Sequence, residues 1–204
     1  MNIRKIALLF SIVFQPLFMA TYLFIILLYV TPSAIGSLFH YRIMLVVFLT
    51  TFVLPVISIY VMKLTSTISS MHLTDKDERI FPFFLIAIFY AISAYLMVTK
   101  FNISAGINIV FITLAFLALF TAFITIFWKI SVHSIGLGGV LGILMALNFR
   151  SPAPYFTWLI TGWVVLMGAT MSSRLLLNVH RPVEVYTGAT FGIVFCFLPI
   201  YVFV

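Results

Sequence analysis

The chain has 204 residues, 64% of them apolar and 7% charged, with 23 Phe, 9 Tyr and 9 Met and a mean hydropathy of +1.28. An ordinary globular domain carries about 25% charged residues, so this chain cannot clothe itself for water and its solvent is the bilayer. The net charge of +7, from 11 Lys and Arg against 4 Asp and Glu, is therefore not a nucleic-acid footprint. Ionisable groups kept beside hydrocarbon are the first candidates for function.

A hydrocarbon core about 30 Å thick is crossed by about 20 apolar residues in a helix. In chain order that length predicts spans at 6–30, 43–62, 82–99, 107–128, 135–149, 155–171 and 183–204. The expected fold is all-α: a polytopic integral membrane helical bundle of about seven transmembrane helices, a single membrane domain over 1–204. Strands are excluded because every backbone group in lipid must find its partner within its own segment. The first apolar run is longer than the roughly 7–15 residues of a secretory signal and no small-residue cleavage site follows, so it is expected to be retained. Pro16 and Pro55 lie inside spans and predict kinks. The fifth span is short and glycine-rich, and is expected to start inside the polar segment before it or to be shielded by its neighbours. Breaks fall at Thr31-Pro32-Ser33, 63–81, Asn102 to Gly106, Ser151-Pro152-Ala153-Pro154 and 172–182. The lone Cys196 excludes an intrachain disulfide or a thiolate metal site. Trp128, Trp158 and Trp163 read as interface anchors, and His40, beside Tyr41 and Arg42, as an interfacial residue without a catalytic role.

Seven spans put the N-terminus and the connections after spans two, four and six on one face. That face collects Arg4, Lys5, Lys63, Asp75, Lys76, Asp77, Glu78, Arg79, Lys129, Arg174, Arg181 and Glu184, with His72, His133 and His180. The other keeps Arg42, Lys100 and Arg150. The basic excess favours a cytoplasmic crowded face. Setting aside Lys76, Arg79, Lys129, Arg174 and Arg181 as chemistry leaves the two faces tied.

Three clusters lie on the crowded face. The densest runs from Ser173-Arg174 through Asn178, His180-Arg181-Pro182 and Glu184 to Gly188. Pro182 suits the first turn of the last helix, with His180 at its mouth and Glu184 one turn in. A carboxylate at that spacing can accept the Nδ1–H, fix the tautomer and leave Nε2 as a nucleophile. Arg174 offers a planar fork that matches phosphate. The blander reading, an interfacial loop with snorkelling arginines and a helix-starting proline, fits this cluster alone equally well. In the second cluster, Ser131 and His133 open a helix, where free N–H groups, a hydroxyl and the dipole attract anions and a histidine can protonate a leaving oxygen. Gly138 with Gly142, and Gly188 with Gly192, have the spacing of close helix packing, which is the favoured reading for them. The third cluster, His72 to Pro82, reads by itself as a solvated loop with a helix cap; its place on the shared face raises its standing.

Ser173-Arg174-x5-His180-x3-Glu184 resembles the third signature, SRxxxxxHxxxD, of the type 2 phosphatidic acid phosphatase superfamily, with Glu184 in place of Asp. Ser131-Val132-His133 is similar to the family's PSGH, keeping the Ser and the His. The first signature, KxxxxxxRP, is the poorest match. With Arg79 as its Arg, His72 stands at the Lys position, Ile80 follows where Pro is usual, Pro82 is displaced, and Lys76 is the nearest substitute. The likeness runs from about Asp75 to Gly192, and the signature-bearing core is taken as about 72–204. Two spans separate the first and second signatures, an arrangement not assumed for every member.

The resemblance implies hydrolysis of a phosphomonoester or diphosphate without metal or other cofactor. Arg79, Ser131, Arg174 and Lys76 would hold the phosphate oxygens, with His72 and Ser173 as further candidates. His180 would attack phosphorus, oriented by Glu184, and His133 would protonate the leaving alcohol. The implied substrate is an amphiphilic lipid phosphate (phosphatidate, phosphatidylglycerophosphate or a polyprenyl phosphate or diphosphate), met together with membrane lipids and no nucleic acid. The expected location is a bacterial inner membrane. The alternatives are transfer of the phosphoryl or headgroup to another lipid alcohol, and a noncatalytic transporter or scaffold, which leaves three co-facial clusters unexplained.

Overall fold

The computed structural model describes residues 3–31, 40–70, 77–101 and 103–204. Pro32, Ser33, His72, Asp75, Lys76 and Asn102, all used above, lie outside the described residues. Among the described residues 87% are helical and no strand occurs, which makes the class all-α. The helices are α1 (Ile3–Val13), α2 (Met19–Val30), α3 (His40–Phe48), α4 (Leu54–Leu64), α5 (Asp77–Lys100), α6 (Ala105–Phe127), α7 (Val132–Arg150), α8 (Pro154–Leu176) and α9 (Pro182–Phe203). With α1 and α2 taken as one run, and α3 and α4 as another, seven spans are long and apolar enough to cross a membrane. By that length and composition the chain is an integral membrane protein.

Pro16 and Pro55 both interrupt regular α-helix, as expected, whereas α5 and α9 run on through Pro82 and Pro199. Proline lacks an N–H and leaves a gap in the i→i−4 ladder. At Pro16 the chain passes through a single 3₁₀ turn, Pro16–Phe18, between α1 and α2. At Pro55 the helix widens instead into a π turn, Leu49–Val53, before α4 resumes.

The third and sixth spans run furthest past the apolar ruler into the polar segments. α5 begins at Asp77, because Asp77 and Glu78 occupy its first turn, where negative charge suits the exposed N–H groups. α8 continues through Ser172, Ser173 and Arg174 to Leu176, with the cation in the last turn, where the dipole favours it. α8 then closes on Asn178, which takes the left-handed conformation (φ 55°). The Val179 N–H reaches back to the Arg174 carbonyl at 3.3 Å, and the Asn178 N–H to Leu175 at 2.9 Å. That pair of bonds is the Schellman closure, which satisfies carbonyls a helix end leaves open.

The chain divides into two compact units, one of residues 1–19 with 129–204 and the other of residues 20–128. The signature-bearing segment therefore draws on both, and the first apolar run is shared between them. In the first unit α7 packs against α9, α8 and the Pro16 turn, and α1 packs along α8. The fifth span begins at Val132, and 61% of its most apolar stretch is buried, the highest share of the seven; early start and shielding thus both hold. Trp163, expected at the interface, is instead buried in α8 and donates its indole N–H to the Leu137 carbonyl of α7 at 2.9 Å. In the second unit α5 packs on α6 and on α3 and α4 with their π turn, and Phe24 of α2 lies 6.1 Å from Phe111 of α6.

The α7–α9 contact is made by backbone. A methyl group placed on Gly138 would collide with the Ala189 carbonyl, one on Gly142 with the Ile193 carbonyl and one on Gly192 with the Ile135 carbonyl. On Gly188 it would stand 2.8 Å from the Ser131 carbonyl oxygen. In lipid no hydrophobic force drives helices together, so close approach through small residues is what holds such a pair. The packing reading of these four glycines is what the structure displays.

Candidate functional site

The start of α9 carries the densest polar contacts. Pro182 opens the helix, where its missing N–H costs nothing, and Glu184 follows in the first turn. Glu184 Oε2 accepts the Arg181 backbone N–H at 3.2 Å, one half of a capping box. The same oxygen lies 2.8 Å from His180 Nδ1. A carboxylate oxygen accepts and does not donate, so Nδ1 carries the proton and, in the neutral ring, Nε2 carries the lone pair. His180 and Glu184 are each 9% exposed. At that burial a charge-assisted bond is stronger than in water and the ring has one defined orientation. Glutamate's extra methylene does not defeat the contact, for the side chain folds back to reach both the imidazole and the main chain.

The start of α7 is tied to the same place. Ser131 precedes the helix in extended conformation, and its N–H donates to the Glu184 carbonyl at 3.1 Å. This bond joins the mouths of α7 and α9, and Gly188 permits it by presenting no side chain to Ser131. It also uses one of the N–H groups that the sequence reading offered to an anion. The Ser131 side chain is fully buried, and its Oγ accepts from Ser134 Oγ at 3.1 Å. That leaves Ser131's own hydroxyl proton available for donation. His133, half-buried two residues on, places Nε2 3.1 Å from the Ser11 carbonyl oxygen of α1.

Arg174 lies half-buried in the last turn of α8, six residues before His180 across the Asn178 closure. Ser173 is buried, with its hydroxyl donated to the Ala169 carbonyl of its own helix at 2.8 Å. In this arrangement it is occupied with its own backbone. Arg79 is 5% exposed in the first turn of α5 and belongs to the second unit. Beside it, Glu78 takes the Ser69 N–H at 3.0 Å and the Ser69 hydroxyl at 2.9 Å, pinning the turn after α4. His72 and Lys76 fall outside the described residues.

Within the first unit the structure thus links Ser131, His180 and Glu184 by hydrogen bonds, with His133 on the adjoining turn. Among the described residues no three His, Cys, Asp or Glu side chains form a group able to hold a metal ion. Sequence reasoning missed two participants. Ser134 stands at i+3 from Ser131, so helical spacing alone would have found it. The Ser11 carbonyl carries no side-chain signal at all. A buried imidazole with a carboxylate on Nδ1 can act as a nucleophile or base through Nε2, and the carboxylate stabilises the cation that forms. No family model, curated protein or solved structure matches the chain.

Proposed function

We propose that this protein is a membrane-bound phosphatase of amphiphilic lipid phosphates, working through a phosphohistidine, and that its likeness to the type 2 phosphatidic acid phosphatases is one of kinship. The observation that carries the reading is the buried His180–Glu184 pair, 2.8 Å apart. A carboxylate on Nδ1 supports Nε2 as the reacting atom in this reading, and Ser131 is bonded to the same turn.

In the first step Nε2 of His180 attacks phosphorus as the bond to the lipid oxygen breaks, and His133 gives that oxygen its proton. In the second, water attacks phosphorus and yields its proton to His133. The phosphorus–nitrogen bond then breaks, releasing phosphate and the neutral imidazole. Glu184 opposes the positive charge on the phosphorylated ring, while Ser131 and Arg174 bind the equatorial oxygens where charge is spread in transfer. The membrane supplies the substrate, since the chain is almost wholly spans and short connections.

The test is phosphate release from a panel of lipid phosphates by purified protein in detergent, with chelator present. Wild type releases phosphate; His180→Ala lowers the rate by about 10³-fold or more. Glu184→Gln, which keeps the shape but loses the charge, lowers it about 10²-fold or more. Wild-type rates in His180→Ala would overturn the assignment. Covalent ³²P labelling of wild type, stable to alkali and absent in His180→Ala, distinguishes phosphohistidine from a phosphoester.

A further inference from the structure

An unbroken helix through residue 16 would send the Gln15 N–H to the Ser11 carbonyl and the next N–H to Ile12. Pro16 has no N–H, and it forces the residue before it out of the helical region. Gln15 is accordingly extended (φ −64°, ψ 139°). Its N–H turns to the Ile12 carbonyl at 3.3 Å, while Phe14 still reaches Phe10 at 2.9 Å. The Ser11 carbonyl has thereby lost its helical donor, in a residue only 8% exposed. A buried carbonyl without a donor is costly, and the group that comes to it is His133 Nε2, at 3.1 Å. The same turn is pressed on α7 one helical turn further along, where a methyl on Gly136 would lie 3.8 Å from Pro16 Cα. A carbonyl only accepts, so Nε2 carries its proton for as long as this bond holds.

We propose that the Pro16 break makes the N-terminal helix a positioning element for His133. The carbonyl it releases at Ser11 holds the Nε2–H, so that His133 exchanges protons through Nδ1. The inference rests on the phosphatase reading for the use of that proton, and on geometry alone for the holding. In the reaction, Nδ1–H of the imidazolium passes its proton to the lipid alkoxide as the P–O bond breaks. The neutral ring keeps Nε2–H on Ser11, and Nδ1 regains a proton from the attacking water. Ser11 and Pro16 touch no reacting atom in this scheme and act through the imidazole.

Pro16→Ala restores the missing N–H and lets Gln15 return to Ser11, which competes His133 off its carbonyl. Two substrates separate positioning from general damage. An acylglycerol phosphate needs its leaving oxygen protonated, whereas an acyl-tailed nitrophenyl phosphate leaves as a stable phenolate. The expected result in Pro16→Ala is a kcat about tenfold or more lower on the first and within about twofold of wild type on the second. Equal losses on both would overturn the proposal. ¹⁵N spectra of histidine-labelled protein, with His133 assigned by His133→Gln, give a measurement that does not depend on the variant folding. Wild type shows the Nε2–H tautomer for His133, and an Nδ1–H tautomer would sink the idea. If wild type releases no phosphate while the spectra show Nε2–H in wild type and a mixture in Pro16→Ala, the phosphatase reading falls and the holding of His133 stands.

Discussion

The parallel pair α7–α9 and the antiparallel pair α5–α6 are both close neighbours in lipid, yet they are held by opposite means. Between α7 and α9 the glycines at 138, 142, 188 and 192 bring each backbone onto the other's carbonyls. Between α5 and α6 the contact is made by side chains. Phe84 meets Phe123 edge to face at 5.1 Å, and a cleft of about 330 Å³ lined by apolar residues opens beside Ala87, Ala91, Ala94, Ile112 and Phe116. Backbone contact leaves no rotamer to adjust, so it sets distance and rotation finely; side-chain contact has slack. The first pair carries Ser131, His133, His180 and Glu184 at its mouth, and a hydrogen-bonded site needs that fineness. The second carries no such cluster among the described residues and tolerates a cleft.

Substitutions can break that contrast. The largest effect is expected from Gly192→Val. Its branched side chain would strike the Ile135 carbonyl and Gly139, pushing the helices apart at a cost of about 3 kcal/mol. Thermal unfolding in detergent should register this as a large fall in midpoint, with the proposed phosphate release lost; an unchanged midpoint would refute backbone-to-backbone packing. A smaller effect is expected from Trp163→Phe, which keeps the ring against α7 but removes the N–H that reaches Leu137. Interhelical bonds in membranes average about 0.6 kcal/mol, so the midpoint should fall slightly while activity survives. The smallest belongs to Ala91→Leu in the α5–α6 cleft, where the added carbons enter open space. A midpoint at or above that of wild type is expected, within about 0.5 kcal/mol; a loss comparable to Gly192→Val would erase the distinction between the pairs.

Much of this architecture could be read from residue order because the bilayer imposes one length on every span. Runs of Phe, Leu, Ile and Val mark where helices must lie, and Pro16 and Pro55 mark two places where they yield. The ends were less legible. Charged residues such as Asp77 and Arg174 do not end a helix; they suit its termini, and an apolar ruler stops short of them. Trp163 misled for a related reason: tryptophan is amphipathic, and only a carbonyl across the interface decides that its N–H turns inward rather than toward headgroups.

The chemical pair at 180 and 184 was legible because it is local. A proline that starts a helix, a histidine before it and a glutamate one turn in can meet without help from the rest of the chain. The bonds Ser131 to Glu184 and His133 to Ser11 were not, since their acceptors are main-chain oxygens without residue identity. The latter pair is separated by 122 positions. What the sequence determined by itself is the solvent of this protein, the count of its spans and the pairing of His180 with Glu184, because these follow from hydropathy and from spacing within one turn. Tertiary structure decided which carbonyls lie open and which ring nitrogen meets them, because that depends on how closely two glycine-faced helices approach and on where a broken one comes to rest.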